Sequence, residues 1–527
     1  MYFSGVGYTI SRNRKVSLQN GGFLSQALER FQEYQNRISQ YDHAVALLYW
    51  DMQTGAPKAG TESKLNDIGF FSTESFRLST ADEYGVLLKE LAAPSEYEQL
   101  SDAMKVTVTR YLRDYERFKR IPESFYTEFV TVKARAGRAW EEAKSASDFS
   151  IFAPHLDKVI HMTKQFVHYM EPGQEPYEFL LDQYEEGMDS STIDRIFSEL
   201  KNGLLPLLEK INSAPRPDLS ALEGHFDIDS QKKVQEMLLK YIGFSFECGA
   251  CAESMHPFTT TLCPGDVRVT NHYHEDNPIS SMFSAIHEGG HAIFEQNLAP
   301  EIQNTAAAQI NLMGLHESQS RFYENILGRN IHFWTPIYHK LGELLPQFQH
   351  IPLETFMRAV NDVHPSMIRT EADEVTYCLH IILRYEIEKA IFRDNVPTEE
   401  LPALWNAKMQ ELLGITPADD AEGILQDMHW SDGSFGYFPS YLLGSVYDGM
   451  LLDALRRDLG DPDRLLEEGK ILDITKWLNE NIHQFGSLYT SKEVLERVCG
   501  TELSAKPLLD YFNEKYSRLY GIQPPTL

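Results

Sequence analysis

The sequence predicts a mainly α-helical protein that carries one small antiparallel β-sheet. From Phe23 to about Ile242, apolar residues recur at spacings of three and four with charged residues between them, which is the helical period. Between Cys248 and Asn277 this period is lost, and β-branched alternation with glycine and proline predicts short antiparallel strands. Helical patterning then returns at Ser281 and continues to about Lys408.

Turn-forming residues divide the helical regions. In the N-terminal half we expect helix breaks at "TGAPKAGTES", "KRIPES", "EPGQEPYE" and "NSAPRPDLS". Residues 414–441 are rich in glycine and aromatic residues and predict a loop region, after which further helices close the chain. We found no internal repeat. The expected organisation is a loose N-terminal extension over residues 1–22 and a single helical domain over residues 23–527.

Composition and charge exclude several classes of partner. The chain has 527 residues and a formal net charge of −29, which disfavours binding to nucleic acid or to an anionic membrane surface. Its five cysteines form an odd, sparse set, unlike a disulfide framework, and indicate a reducing compartment. Neither a secretory signal nor an 18-residue apolar run is visible. We therefore expect a cytoplasmic protein with neither nucleic acid nor membrane as a partner.

The segment "HEGGH" at residues 287–291 is typical of a metal site. His287 and His291 are four residues apart, so on a helix both imidazoles can reach one ion. Glu288 lies beside that face and can hold a water molecule, which is the H-E-x-x-H arrangement of a zinc hydrolase. The alternative is an ordinary helix whose two histidines are satisfied by other contacts.

Two glycines occupy the middle of this predicted helix. Gly289 and Gly290 should each cost about 1 kcal/mol of helix stability relative to alanine. A helix that merely packs has no need of them, whereas a helix with a metal ion and a peptide backbone pressed against it needs a surface without side chains. We therefore expect the glycines to make room for close approach.

A catalytic zinc ion commonly has three protein ligands, so a third is needed. The stretch "LMGLHESQSRFYENILG" at residues 312–328 is helical in pattern, and Glu317 lies far enough beyond His291 for the chain to turn and return. Glu317 would complete a His2Glu set. The neighbouring His316 is the rival ligand on residue chemistry alone.

Six ordered segments resemble motifs of the carboxypeptidase Taq family of zinc metallocarboxypeptidases. They are "HPF" at residues 256–258, "DVRVT" at 266–270, "HEGGH" at 287–291, "HESQ" at 316–319, "IRTEAD" at 368–373 and "GILQDMHW" at 423–430. The similarity extends from about residue 24 to the end of the chain. Gly289 departs from the pattern, because relatives often carry a larger residue there, and we expect this change to alter the pocket wall.

The resemblance implies both a fold and a cofactor. It implies a large helical peptidase fold with a deep central groove, similar to angiotensin-converting enzyme and neurolysin, with the active-site region at about residues 250–445. It also implies a homodimer and one Zn2+ per subunit, with Glu317 as the third ligand beside His287 and His291. A His2Glu site accepts several divalent ions, so Co2+ or Mn2+ could replace zinc.

The family motifs also suggest residue roles. Glu288 would take a proton from the attacking water and pass it to the leaving amine. Arg369, within "IRTEAD", would bind the C-terminal carboxylate of the substrate, and Asp373 would support it or serve only as a structural helix carboxylate.

Further substrate contacts are predicted around these residues. His429, Tyr437 and Tyr441 are candidate donors to the developing oxyanion, although aromatic residues in such a loop often serve packing alone. His256 and the strand that contains Arg268 would line the groove. Arg268 and Asp266 would equally well form an internal salt bridge.

These observations predict a metal-dependent carboxypeptidase that acts on peptides with broad specificity. The nearest alternatives are an oligopeptidase or a dipeptidyl carboxypeptidase of the same groove fold. A non-catalytic peptide-binding protein and a redox protein that uses Cys248 and Cys251 belong to other classes. The intact set of His287, Glu288, His291 and Glu317 argues against the non-catalytic alternative, and the lack of a second cysteine pair argues against the redox one.

Overall fold

The computed structural model describes residues 25–309 and 312–524. The predicted loose extension over residues 1–22 lies outside the described residues. The helices before the sheet are α1 (Gln26–Thr54), α2 (Thr61–Ser79), α3 (Asp82–Leu91), α4 (Pro94–Tyr97), α5 (Asp102–Phe118), α6 (Glu123–Ala146), α7 (Phe149–Met170), α8 (Pro176–Tyr184), α9 (Ser190–Asn212) and α10 (Ile228–Ile242). The four predicted breaks fall between α1 and α2, α5 and α6, α7 and α8, and α9 and α10, which confirms them.

The helices after the sheet are α11 (Pro278–Gln296), α12 (Met313–Arg321), α13 (Ile331–Trp334), α14 (Tyr338–Leu344), α15 (Leu353–Val360), α16 (Glu374–Lys389), α17 (Leu401–Leu413), α18 (Phe438–Leu459), α19 (Pro462–Glu467), α20 (Ile471–Asn481), α21 (Ser491–Cys499) and α22 (Lys506–Tyr520). Two π-helical segments, Phe322–Gly328 and Ala390–Asp394, continue α12 and α16. Short 3-10 turns occupy Lys58–Gly60, Ser220–Leu222, Ala306–Ala308, Pro346–His350, Arg369–Glu371, Thr398–Glu400 and His483–Phe485. The predicted loop region separates α17 from α18.

The small sheet is mixed, so the prediction of an antiparallel sheet is wrong in part. Its strands are β1 (Gly249–Glu253), β2 (Thr259–Cys263) and β3 (Asp266–Asn271), in the order β1-β3-β2. Only β2 pairs with β3 in the antiparallel sense, across a tight turn, whereas β1 pairs with β3 in parallel. Alternation along the sequence predicts that the strands exist. It does not predict that β1 pairs with β3, because these two strands are separated along the chain by β2 and its connections.

The sheet and the helices pack into a large hydrophobic core. This core extends from Phe129 of α6 to Tyr516 of α22 and includes residues of α11, α12, α16 and α18. A smaller core joins α1, α3 and α5 through Phe31, Tyr84 and Val108. Among the described helices, none combines the length and the apolar character that a membrane span requires.

Candidate metal centre

Helix α11 presents the two histidines of the H-E-x-x-H motif. Asn277 caps the helix by accepting a hydrogen bond from the Ser280 amide, and Pro278 occupies the first turn, where its missing N–H costs nothing. The rings of His287 and His291 lie 5.0 Å apart on one face of the helix, as their spacing predicts.

Helix α12 brings Glu317 to the same point. One donor atom from each of His287, His291 and Glu317 lies within 4.8 Å of the others. Oε2 of Glu317 is 3.8 Å from Nε2 of His287 and 3.6 Å from Nε2 of His291, which is too far for a hydrogen bond. Two imidazole nitrogens and a carboxylate oxygen that converge without bonding one another fit a divalent cation such as zinc.

The electrostatics of the cluster favour a cation. Burial by itself would lower the pKa of His287, but the carboxylates of Glu317 and Glu324 outweigh it and raise the pKa to about 9. Burial, together with the neighbouring histidines, lowers the pKa of His291 well below its usual range. The centre therefore attracts positive charge through its carboxylates and keeps one imidazole neutral and able to ligate.

The close approach predicted for the glycines of α11 is found at Gly290, but the approaching backbone belongs to α12, so helix packing alone explains these residues. A Cβ atom at Gly290 would lie 2.6 Å from the backbone oxygen of Gln319 and 2.8 Å from Cα of Ser320. Gly290 therefore lets α12 approach α11 closely enough for Glu317 to reach the histidines. Gly289 faces the side-chain tips of Leu239 and Ile242 in α10, so it shapes the core and not the pocket wall.

Helix α18 approaches α12 in a similar way. A Cβ atom at Gly444 would lie 2.9 Å from the amide nitrogen of Ser318 and 3.1 Å from Cγ of Glu317. Helix α12 thus packs between α11 and α18, each of which has a glycine at the point of contact. Glu185 also accepts a hydrogen bond of 2.8 Å from the Gly314 amide, which anchors the first turn of α12.

Glu324 orients His287, a role that none of the sequence motifs above predicts. Its Oε2 lies 2.9 Å from Nδ1 of His287, which leaves Nε2 directed at Glu317. Burial alone would raise the pKa of Glu324, but the hydrogen bond and charge of His287, together with Arg329, lower it to about 2. Glu324 follows Glu317 by two helical turns in the same stretch, and this spacing was the available signal.

Glu288 lies beside the metal-binding face and contacts Thr259 of β2. The Thr259 hydroxyl is 2.6 Å from Oε2 of Glu288 and 3.0 Å from its backbone oxygen. Burial raises the pKa of Glu288. Sequence reasoning did not identify Thr259, because nothing in "TTTLC" distinguishes one threonine from the next before the sheet is placed against α11.

His316, the rival third ligand, does not join the converging atoms. Its ring stacks on His291 at a centroid distance of 4.4 Å, and its Nε2 lies 3.1 Å from Oε1 of Glu295. Glu317 is the residue that the structure brings to the two histidines.

Arg369 is buried, and its partner differs from the predicted one. Its Nε and Nη2 donate to Oδ1 of Asp427 at 3.1 and 2.8 Å, and its Nη1 donates to the Tyr377 hydroxyl at 3.2 Å. Arg384 binds the other oxygen of Asp427. Asp373 instead caps α16 by accepting from two backbone amides, so its support of Arg369 is corrected to the structural alternative.

Arg369 lies among the predicted aromatic residues. Its guanidinium is 5.2 Å from the ring centroid of Tyr441, whose hydroxyl lies 3.2 Å from Nε2 of His429. The Tyr437 ring is 4.9 Å from that of Tyr441. Burial, followed by the Glu317 carboxylate, raises the pKa of Tyr437, so Tyr437 lies close enough to the metal centre to be affected by its charge. Burial lowers the pKa of His429 to about 4, which leaves its imidazole neutral near pH 7.

Glu388 of α16 fixes the loop that carries these aromatic residues. Its buried carboxylate accepts hydrogen bonds of 2.9 Å from Nε1 of Trp430, the amide of Gly436 and the hydroxyl of Tyr177. Trp430 and Gly436 lie within one residue of His429 and Tyr437, respectively. The loop position therefore depends on a carboxylate that no sequence motif indicated.

Arg268 and His256 are the two predicted site residues in the region of the sheet. Arg268 forms two hydrogen bonds of 2.8 Å with Asp266 and lies over the Trp50 ring, which favours the internal salt bridge. His256 is exposed in the connection before β2. Within the described residues, no hydrogen bond or ion pair joins Arg268 or the His256 side chain to the three converging residues.

The cysteine pair does not have the character of a redox site. Cys248 and Cys251 are both free thiols. Burial raises the pKa of the Cys251 thiol to about 11, which suppresses the reactive thiolate. The cysteine pair therefore offers no alternative to a metal-dependent reaction at His287, His291 and Glu317.

Comparison with known proteins decides the family. A family model described as carboxypeptidase Taq (M32) metallopeptidase matches residues 30–516. The chain belongs to the carboxypeptidase Taq (M32) family. It is therefore a metallocarboxypeptidase, and the family implies a divalent metal ion, which the His2Glu group fits.

Individual M32 relatives match over nearly their whole lengths. Carboxypeptidase 1 of Bacillus subtilis is 45% identical over 494 residues, which cover 93% of this chain and 98% of the relative. Thermostable carboxypeptidase 1 of Thermus thermophilus is 36% identical over 506 residues, covering 94% and 99%. The crystal structure of an M32 carboxypeptidase from Deinococcus radiodurans superposes with a TM-score of 0.90 at 30% identity, covering 94% of this chain and 100% of that one.

Proposed function

We propose that this metallocarboxypeptidase removes single residues from the C-termini of peptides with broad specificity and uses one zinc ion per subunit. The observation that carries the proposal is the convergence of His287, His291 and Glu317 beside Glu288. The buried cation Arg369 lies on the Tyr437 and Tyr441 side of the same centre. A divalent ion in this donor set supplies Lewis acidity, which polarises the scissile carbonyl and lowers the pKa of a water molecule.

Glu288 is the general base of the proposed reaction. Its carboxylate accepts a proton from the attacking water and then delivers it to the leaving amine nitrogen. The hydrogen bond from Thr259 fixes one carboxylate oxygen, so the other is free to face the water. Glu324 holds His287 in the tautomer that exposes Nε2.

Arg369 receives the C-terminal carboxylate of the substrate. Two guanidinium groups, Arg369 and Arg384, share the single carboxylate of Asp427, so this buried cluster keeps a net positive charge. A substrate carboxylate would neutralise that charge where little water screens it. Tyr437, Tyr441 and His429 lie around Arg369, and this supports the proposal that they donate to the negative charge that develops on the carbonyl oxygen.

Release of the C-terminal residue from a blocked dipeptide tests the proposal. We expect zinc-loaded protein to be active, and chelated protein to be inactive until zinc is restored. Glu288→Gln should bind one equivalent of zinc and lose about 100-fold or more in kcat. Glu295→Gln, which changes another carboxylate of α11, is the matched control and should remain active. Full activity of Glu288→Gln would refute its role as base.

A second experiment separates the proposed exopeptidase from the other peptidases. Mass spectrometry of products from a longer peptide should show loss of one residue at a time. Dipeptide products or internal cuts would favour a dipeptidyl carboxypeptidase or an oligopeptidase. Arg369→Gln should raise KM for free-carboxylate peptides, whereas C-terminally amidated peptides should be poor substrates for both proteins. Broad specificity requires comparable kcat/KM across peptides that end in different residues.

Metal identity and assembly are checked separately. Metal analysis of the protein as purified should find zinc, and reconstitution with Co2+ or Mn2+ should also restore turnover. The homodimer, the cytoplasmic location and the contribution of His256 to the groove stay predictions. The mass of the protein in solution tests the homodimer directly.

A further inference from the structure

A cavity adjoins the helical segment that carries Glu324. It has a volume of about 190 Å3, and the π-helical segment Phe322–Gly328 contributes Ile326 and Leu327 to its wall. None of the three residues proposed as metal ligands lines it. Arg329 joins the two regions, because it lines the cavity and its Nη2 lies 3.4 Å from Oε1 of Glu324, which in turn binds His287.

The floor of the cavity is apolar. The buried side chains that form it come from four different elements, and they are Ile326, Leu327, Met357, Leu452 and Leu466. An apolar cavity of about 150 Å3 is large enough to hold benzene, so this one can take a branched aliphatic or a single aromatic side chain. Apolar surface of this kind favours an apolar ligand over water.

The rim carries both signs of charge. Five cations and three carboxylates line the cavity, an excess of positive charge in a chain whose net charge is −29. Arg358 and Glu354 lie on α15, and Arg518 lies on α22; all three are exposed. None of the three makes an ion pair within the part of the chain that the structure describes. Two cations and one carboxylate are therefore available to a ligand.

We propose that this cavity binds a free apolar amino acid such as leucine. The side chain enters the apolar floor, the α-carboxylate pairs with Arg358 and Arg518, and the α-ammonium pairs with Glu354. A ligand with only one of these charges would leave part of the rim without a partner. The identity of the ligand rests on the proposed function, because a carboxypeptidase releases free amino acids wherever it acts.

Equilibrium dialysis with radiolabelled L-leucine tests the proposal on the full-length, zinc-loaded protein. The Arg369→Gln variant removes the proposed carboxylate receptor of the active site, so binding that survives in it reports a second site. We expect saturable binding by this variant, weakened about tenfold or more when Arg358→Gln and Arg518→Gln are added. These arginines are exposed, so the substitutions should not disturb folding. Arg195→Gln, at an exposed arginine of α9, is the matched control and should change nothing.

Two analogues of leucine test the recognition of both charges. 4-Methylpentanoate lacks the ammonium group and 3-methylbutylamine lacks the carboxylate, and each should compete about tenfold or more weakly than leucine. Equal competition by 4-methylpentanoate would overturn the role of Glu354. Absence of saturable binding in Arg369→Gln, or unchanged binding after loss of both rim arginines, would overturn the site.

Peptidase assays on the same samples separate this proposal from the proposed function. If the wild-type protein is active and the Arg369→Gln variant binds no leucine, only the cavity proposal is overturned. Leucine binding that depends on Arg358 and Arg518, in protein that releases no residue from any peptide, supports the cavity and overturns the proposed function.

Discussion

The hydroxyl of Thr259 lies 2.6 Å from Oε2 of Glu288 and so joins the small sheet to the residue proposed as general base. Because Thr259 precedes β3 by a tight hairpin, the sheet sets the position of this hydroxyl relative to α11. A hydrogen bond to a charged group contributes about 1.5–3 kcal/mol. The contact is therefore strong enough to hold the carboxylate in one orientation.

Thr259→Val should lower kcat by about 10- to 100-fold while the protein keeps its zinc, because the isosteric side chain cannot donate. Thr259→Ser retains the hydroxyl and should keep most of the activity. Steady-state kinetics and metal analysis of both variants check this. Equal losses in the serine and valine variants, or loss of zinc from the valine variant, would contradict a positioning role.

Gly290→Ala should destabilise the protein and weaken metal binding. The added methyl group meets the backbone of Gln319 and Ser320, which cannot rotate away. Overpacking of this kind costs about 1–3 kcal/mol, and the gain of about 1 kcal/mol in helix propensity offsets only part of it. We expect a lower Tm for the metal-free protein and weaker zinc binding, since α12 carries Glu317.

Gly289→Ala is the matched control for that substitution. Its methyl group meets only the side-chain tips of Leu239 and Ile242, which can adjust. Thermal unfolding should show a smaller decrease in Tm than for Gly290→Ala, with zinc affinity unchanged. A larger decrease in Tm for Gly289→Ala than for Gly290→Ala would show that α11 packs more tightly against α10 than against α12.

Glu324→Gln should weaken zinc binding by about 10- to 100-fold, because a neutral amide polarises His287 less than a carboxylate does. Competition with a chelating indicator measures this affinity. Glu295→Gln alters the partner of His316, which is not among the converging residues, and should leave the affinity near that of the wild type. Similar losses in both variants would argue against a specific role for Glu324.

Glu388→Gln should reduce the pH dependence of stability. Burial raises the pKa of Glu388 from 4.5 to about 7, so the folded protein holds this proton more tightly than the unfolded chain. The resulting stabilisation is complete below the unfolded pKa and is lost as the pH rises through about 7. The difference in stability between low and high pH amounts to about 3 kcal/mol, and glutamine, which does not titrate, should not show it.

Tm values measured between about pH 5 and pH 8 test this prediction. The wild type should lose more stability than Glu388→Gln as the pH rises. Glu399→Gln, at an exposed carboxylate, should follow the wild type. Parallel pH profiles for the wild type and Glu388→Gln would show that Glu388 titrates alike in the folded and unfolded states.

Local pattern in the sequence determined the helices, the breaks between them and the pairing of His287 with His291. These features depend on residues that are near neighbours along the chain, where periodicity and turn chemistry act directly. The resemblance to family motifs selected Glu317 over His316 and placed Arg369 among the site residues. The net negative charge alone indicated that the protein does not bind nucleic acid or anionic membrane surfaces.

Only the tertiary structure decided which side chains meet across elements. Asp427 instead of Asp373 partners Arg369, Thr259 contacts Glu288, and β1 pairs in parallel with β3. Gly290 makes room for close approach, as its sequence position suggested, but the approaching backbone is that of α12. Each of these contacts joins segments distant along the chain, and their geometry follows from how whole helices and strands pack, which no local pattern encodes.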